Sequence, residues 1–333
     1  MKHRSLLVSV LLILVGWGFL DWHYNETPKR IPKASPQTLA GEYRANNTVI
    51  SGGIDRTFSY YLPSTLTEGA ALIFVLHGSI SSGEAIRKMT GNEFDLLAET
   101  NQYIPVYANG FDNHWNDCRA SADYKANTQN IDDIAHLAFL IDLFAERYQI
   151  DPNRVFVTGH SNGGQMAYRV ALEAPHMVRA VAALSANLPI DDNFDCVKSG
   201  IPTSIAIFNG TEDNINPYYG GTVRLGSNES RGLVLTTEQT TNYWTKLIGA
   251  DIASPDKVIQ YPETDGMPNT SVIATHWNGL NGTQVQLFRL QGSGHVIASK
   301  LYDFPDYIGP NASDISGPEE IIKFFMAHLK SNL

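Results

Sequence analysis

The chain has 333 residues, 43% of them hydrophobic and 17% charged, with a formal net charge of −10 at pH 7. That composition supports a sizeable buried core and excludes disorder for want of apolar residues. The acidic balance carries no basic stripe to neutralise phosphates, so it argues against a nucleic-acid partner and gives no attraction to anionic lipid. A neutral or small substrate is what remains.

In chain order, Lys2, His3 and Arg4 precede an uncharged apolar run from Ser5 to Leu20, which Asp21 ends. A short basic region before an apolar one is the pattern of an export signal. As a helix, Ser5–Leu20 would extend about 24 Å at about 1.5 Å per residue, short of the roughly 30 Å hydrocarbon core. Gly16 and Gly18 make a poor cleavage site, so residues 1–22 read as a signal peptide or as a retained N-terminal membrane anchor through residues 5–20. Both place the remainder outside the cytoplasm: periplasmic, secreted, or held at the outer face of a membrane. Residues 23–40, with Pro28, Pro32 and Pro36 among polar residues, read as a linker. Residues 41–333 read as one domain.

Within that domain, Phe58–Leu62 alternates like an edge strand, and the continuously apolar Ala70–Leu76 suits a strand covered on both faces. Tyr103–Ala108, Arg154–Thr158, Ala180–Leu184, Ser204–Asn209 and Gln284–Leu290 are further predicted strands. Predicted helices cover Ile131–Tyr148, Gly163–Glu173, Thr237–Ile248 and Pro318–Leu329. The first should present Ile134, Leu137, Ala138, Ile141, Leu143 and Phe144 on one apolar face. Strands alternating with helices predict an α/β fold with a mostly parallel central sheet and helices on both faces. In such sheets the chemistry sits beyond the carboxyl ends of the strands.

The predicted strand ending at Thr158 runs into Gly159-His160-Ser161-Asn162-Gly163-Gly164 and then into a predicted helix. G-x-S-x-G at a strand-to-helix turn is a nucleophile elbow, in which a strained turn lifts the serine hydroxyl above the sheet. A serine needs a base, and the base an orienting acid; on this fold they follow in the order Ser, Asp or Glu, His. Asp213 follows the strand Ser204–Asn209, and His295 follows the last strand inside Gly292-Ser293-Gly294-His295. Glu212 is the nearest rival to Asp213. Asp191, Asp192 and Asp195 come one strand too early, and Asp303 and Asp306 come after the histidine. His328 lies in the last helix, and His276 in an insertion without glycine context.

An oxyanion hole needs two backbone N–H donors. Asn162, next after the serine, should give one. Ser79, in the loop after the buried strand that ends in His77-Gly78, should give the other. His77 and His160 are expected to be structural. Cys118 and Cys196, the only cysteines, are expected to form a disulfide in an oxidising compartment; the alternative is two buried thiols. The sequon Asn228-Glu229-Ser230 would matter only in a eukaryotic secretory pathway.

With these residues identified, the chain resembles the polyhydroxybutyrate depolymerase and feruloyl esterase group of the α/β-hydrolases over roughly residues 40–330. The likeness rests on His77-Gly78, Trp115-Asn116, Asn130-Ile-Asp132-Asp133, Asp151-Pro-Asn-Arg154, the elbow, Asn209-Gly-Thr-Glu-Asp213 and Gly294-His295. It implies the α/β-hydrolase fold, a Ser161–Asp213–His295 triad, and Trp115 and Asn116 as substrate-binding residues. This chain has Asn209 where the group often has histidine, and lacks the Trp-Pro that often follows the catalytic histidine, which puts substrate preference in question. Members that attack polymer granules commonly carry a binding domain behind a linker. None is recognisable here, so small-molecule or oligomeric esters are the expected partners.

The expectation is a serine carboxylic-ester hydrolase acting through an acyl-enzyme, on short-acyl, hydroxyalkanoate, feruloyl or acetyl carbohydrate esters. No metal or organic cofactor is called for, since the sequence has no ligand cluster, P-loop or dinucleotide fingerprint. A lipase or peptidase would use the same machinery, and a non-catalytic binding protein could keep the fold.

Overall fold

The computed structural model describes residues 39–329. The apolar N-terminal segment and all but the last two residues of the linker lie outside the described residues. The described chain enters a sheet through an antiparallel hairpin, β1 (Glu42–Ser51) and β2 (Ile54–Leu62), turned by Gly52 and Gly53 at positive φ. Next come β3 (Ala71–Leu76), β4 (Tyr103–Ala108), β5 (Val155–His160), β6 (Ala180–Leu184) and β7 (Ser204–Gly210). Two short strands, β8 (Gly221–Thr222) and β9 (Leu233–Val234), pair only with each other. The chain returns to the sheet with β10 (Lys257–Gln260), β11 (Ser271–Asn278) and β12 (Gln284–Gln291).

The sheet order is β1-β2-β4-β3-β5-β6-β7-β12-β11-β10. Every pair from β4 through β12 is parallel, and the pairs outside that block are antiparallel. The seven predicted strands all form. β1, β10 and β11 add to them, and His276 therefore belongs to a strand of the main sheet, not to an insertion.

The helices α1 (Gly83–Met89), α2 (Glu93–Asn101) and α7 (Gly317–Ala327) cover one face. The other face is covered by α4 (Asp133–Tyr148), α5 (Asn162–Glu173) and α6 (Thr237–Leu247), with one-turn α3 (Lys125–Thr128) ahead of α4. Side chains alternate along a strand, and β3 shows the result directly: Leu72, Phe74 and Leu76 enter one core, Ala71, Ile73 and Val75 the other. The buried stripe of α4 is Asp133, His136, Leu137, Leu140, Ile141 and Phe144. It is rotated from the predicted face because Asp133 is pulled inward, where it pairs with Arg56 at 2.6 Å and accepts from the Asn116 N–H at 2.7 Å.

Cys118 and Cys196 are disulfide-bonded. Among the described residues no helix is long and apolar enough to cross a membrane.

Candidate active site

Strand β5 delivers Gly159 and His160, and the chain reverses at Ser161, whose φ of 57° and ψ of −118° lie where side-chain-bearing residues rarely sit. Such a backbone costs on the order of 1–3 kcal/mol and persists only where its surroundings over-determine it. Here the Ser161 N–H donates to the Leu184 carbonyl at 2.8 Å, and its own carbonyl accepts from Gln165 at 2.9 Å. The glycines of the motif are steric necessities. A Cβ on Gly159 would stand 2.3 Å from the Gly163 carbonyl oxygen, and one on Gly163 would stand 2.4 Å from the Leu76 oxygen.

Asp213 sits just past β7 and His295 just past β12, neighbouring parallel strands, so two distant segments converge at one sheet end. His295 Nδ1 lies 2.7 Å from Asp213 Oδ2, and Asp213 Oδ1 accepts from the N–H groups of Ile215 at 2.9 Å and Asn216 at 2.8 Å. Both carboxylate oxygens are thus committed, and both residues are buried. Glu212 is exposed and directs its N–H to the Ser293 carbonyl. The histidine loop is held from behind: the His295 N–H donates to Ile308 and the Gly294 N–H to Pro310, both at 2.8 Å. Gly294 and Gly309 pass almost in contact, since a Cβ on Gly294 would stand 2.1 Å from the Ile308 oxygen and one on Gly309 2.7 Å from the Gly294 Cα.

The loop after β3 is set by His77. Its Nδ1 lies 2.7 Å from the Gly78 carbonyl, and its Nε2 accepts from the Gly110 N–H at 2.9 Å, which fixes the tautomer with the proton on Nδ1. Burial drives its pKa down to about 4, so the ring is neutral. Ser79 follows on the pocket wall, across from the elbow. The Asn162 N–H is the first amide of α5, one of the four that have no partner within a helix. His160, packed against His295 with ring centroids 4.7 Å apart, is held well below the usual histidine range, by burial first and then by His295.

Trp115 and Asn116 stand elsewhere than the resemblance implies. Both are buried, and neither lines the pocket that holds Ser161. They belong to an irregular stretch, Trp115 to Arg119, buried along its whole length. A buried stretch outside regular structure must find partners for its polar groups, and these residues spend theirs on the scaffold. Trp115 Nε1 donates to the His77 carbonyl at 3.0 Å, and Asn116 Nδ2 donates to Ile131 and Asn130. The disulfide anchors this stretch through Cys118.

The pocket encloses about 210 Å³, with Gly78, Ser79, His160, Ser161 and His295 on its wall. That is below the usual roughly 300–1,000 Å³ of sites for larger ligands. Gln165 Oε1 and Asn216 Nδ2, both from lining residues, are buried without a hydrogen-bond partner. The arrangement can orient an imidazole, present a hydroxyl at a sharp turn, and offer backbone amides across a small cavity.

Comparison with known proteins bears on the fold. Residues 64–224 match the phospholipase/carboxylesterase family model. NocK, a protein of Nocardia uniformis subsp. tsuyamanensis named as an esterase, is 24% identical over 310 residues, covering 90% of this chain and 85% of that protein. Poly(3-hydroxybutyrate) depolymerase of Ralstonia pickettii is 31% identical over 171 residues, which are 46% of this chain and 33% of the depolymerase. An acetyl xylan esterase from Aspergillus awamori superposes with a TM-score of 0.54 at 16% identity, covering 86% of this chain and all of that one. The described chain has the α/β-hydrolase fold, and the stretch from 64 to 224 matches a carboxylesterase model.

Sequence reasoning missed part of the pocket. Arg119, Arg231, Val223 and Leu225 line it, the last three carried by the excursion that β8 and β9 close. Asn193 ties this excursion to the scaffold: Nδ2 donates to the carbonyls of Arg231 and Leu233 at 3.0 Å, and Oδ1 accepts from Ser121. Two-residue strands leave no periodic signal, so only a glycine-bounded polar stretch marked this region in the sequence.

Proposed function

We propose that this chain is an esterase that works by acyl transfer through Ser161, with His295 as base and Asp213 as the acid that orients it. The observation that carries this reading is the 2.7 Å contact of His295 Nδ1 with Asp213 Oδ2, at the pocket into which the strained Ser161 turn opens. His295 Nε2 removes the Ser161 proton as Oγ attacks the ester carbonyl. The N–H groups of Asn162 and Ser79 receive the developing oxyanion. Collapse breaks the ester C–O bond, and the imidazolium returns its proton to the leaving alcohol. A water molecule, deprotonated by the same imidazole, then hydrolyses the acyl-enzyme and frees Ser161. Asp213 remains ionised and keeps the proton on Nδ1.

The pocket volume favours short acyl groups, and relatives named as acetylxylan esterases and a hydroxybutyrate depolymerase make acetyl and hydroxyalkanoate esters the first substrates to try. The disulfide fits an oxidising compartment, and we read the enzyme as exported, with residues 5–20 as its signal or anchor.

Turnover of a panel of nitrophenyl acetate, acetylated xylan, methyl ferulate and hydroxybutyrate oligomers tests the reading, together with fluorophosphonate labelling. Ser161→Ala should lose labelling and drop kcat by several orders of magnitude with its circular dichroism unchanged. Full activity in that variant would overturn the mechanism.

A further inference from the structure

The pocket wall carries two guanidinium groups and no carboxylate, on a chain whose net charge is −10. The two arginines differ in their partners. Arg119 is neutralised: its Nε and Nη2 donate to Asp117 at 3.0 Å and 2.5 Å. Arg231 is only 5% exposed, and among the described residues no acidic side chain pairs with it. Its Nη1 is buried without a hydrogen-bond partner. The face of Tyr124, 5.8 Å from the guanidinium carbon, offsets only part of the cost of burying a charge. Losing the proton offers no escape, because a guanidinium stays charged in proteins. Asn216 Nδ2, from another lining residue, is a second buried donor without an acceptor.

We propose that the ester taken by this enzyme carries a free carboxylate, bound by Arg231 with Asn216 while Ser161 attacks the ester carbonyl. The proposal rests on the serine-esterase reading above and names its substrate class. Asp117 is paired with Arg119, and Arg231 feels Asp123 and Asp117 only from beyond ion-pair distance, against the repulsion of Arg119. A carboxylate monoanion would meet that guanidinium directly, with the planar fork geometry it prefers. A phosphate dianion would bring a second charge with nothing to meet it. Ser161, Asn216 and Arg231 line the same small cavity, so carboxylate and ester would belong to one compact substrate. It can stand on the acyl side, as in a monoester of a dicarboxylic acid, or on the alcohol side, as in an acylated hydroxy acid.

Matched pairs of esters, followed by acid release at constant pH, separate these cases. Monoethyl glutarate against ethyl valerate tests the acyl side; 3-acetoxypropionate against 3-acetoxypropionamide tests the alcohol side. In one pair the acid should have the higher kcat/KM, and Arg231→Gln should reduce that acid-to-neutral ratio roughly ten- to a hundredfold, the range for a lost charge-assisted hydrogen bond. Arg231→Lys should keep part of the preference. With the unaltered enzyme, valerate should inhibit ethyl valerate hydrolysis competitively at concentrations where valeramide does not, if the acyl side is the one read. 3-Hydroxypropionate against its amide makes the same test for the alcohol side. A ratio no greater than one in both pairs, or a ratio that Arg231→Gln leaves unchanged, overturns the carboxylate proposal alone, provided the neutral esters are hydrolysed and Ser161→Ala abolishes that hydrolysis. Failure to hydrolyse any ester overturns both readings.

Discussion

The side chain of Asn162 grips the backbone of Trp115 at both ends, Oδ1 accepting its N–H at 2.8 Å and Nδ2 donating to its carbonyl at 3.0 Å. The same Nδ2 donates to Asp117 at 2.6 Å. One residue therefore places a main-chain amide next to Ser161 and uses its side chain to lock the buried stretch that ends in Arg119. Asn162→Ala keeps the amide but leaves the buried Trp115 N–H and carbonyl without their partner, while Asp117 keeps Arg119 and Tyr124. It should cost about 3 kcal/mol, each unsatisfied group being worth roughly 1–3 kcal/mol before relaxation. Urea unfolding of the variant checks this, and an unchanged midpoint would show the clamp to be incidental.

Asp213 and Glu212 are adjacent, yet only the first is buried against the imidazole while the second is exposed. Asp213→Asn should therefore lower kcat by roughly 10⁴, as the equivalent change does in a serine protease, because the amide favours the wrong histidine tautomer. Glu212→Gln should stay within about twofold of the parent. Steady-state kinetics of both variants on one acetyl ester decide the assignment, and a crippled Glu212→Gln would reverse it.

His77 links acid sensitivity to the loop that carries Ser79. Its folded pKa of about 4 lies below the unfolded value of about 6.5, so the unfolded chain binds more protons between those limits. Its contribution is complete above pH 6.5 and is lost as pH falls toward 4, at about 1.4 kcal/mol per pH unit. Glu93 acts with the opposite sign, since burial raises its pKa to about 7 and its contribution fades as pH rises through that value. Comparison with His77→Gln isolates the histidine. The variant should be less stable at pH 7.5, and the gap should narrow by roughly 3 kcal/mol on going to pH 4.5. A gap independent of pH would mean that His77 is not held neutral.

The Cys118–Cys196 bridge closes a loop of 78 positions. In the chain-entropy account such a cross-link contributes about 4 kcal/mol by restricting the unfolded state. Reduction should lower the melting temperature by several degrees. It should also reduce activity before global unfolding, because Cys118 adjoins both Asp117 and Arg119. Thiol titration of the unfolded, unreduced protein should find no free cysteine. Two reactive thiols, or a melting temperature indifferent to reductant, would count against the bridge.

How much of this was legible in the sequence depended on whether the determining contacts are local. The apolar runs of the parallel strands and the glycines of the elbow carry their reasons in adjacent residues, and both stood where they were expected. The pairing of Asp213 with His295 followed from chain order on this fold. β1 was missed because Glu42–Ser51 is mostly exposed and carries little apolar alternation to read. Trp115 and Asn116 drew attention as an aromatic–amide pair, but their role depends on partners such as His77, Asn130 and Ile131, and no local pattern announces those contacts. Arg231 was invisible for the converse reason: what distinguishes it is a missing partner, which only three dimensions reveal.

The close passage of Gly294 and Gly309 carries a consequence for how this enzyme can vary. Gly309 has φ of 99° and lies well past the histidine motif, in a stretch a sequence reader would treat as freely replaceable loop. Its missing side chain is nevertheless what lets the strap through Ile308 and Pro310 lie flat against the turn that presents His295. A mutational library that spares the motifs and randomises residues 305–312 would therefore lose much of its activity at this one position. Alanine there would push the imidazole off Asp213 without altering any residue that takes part in the chemistry. The tolerance of this loop to substitution is set by a residue that no active-site signature would include.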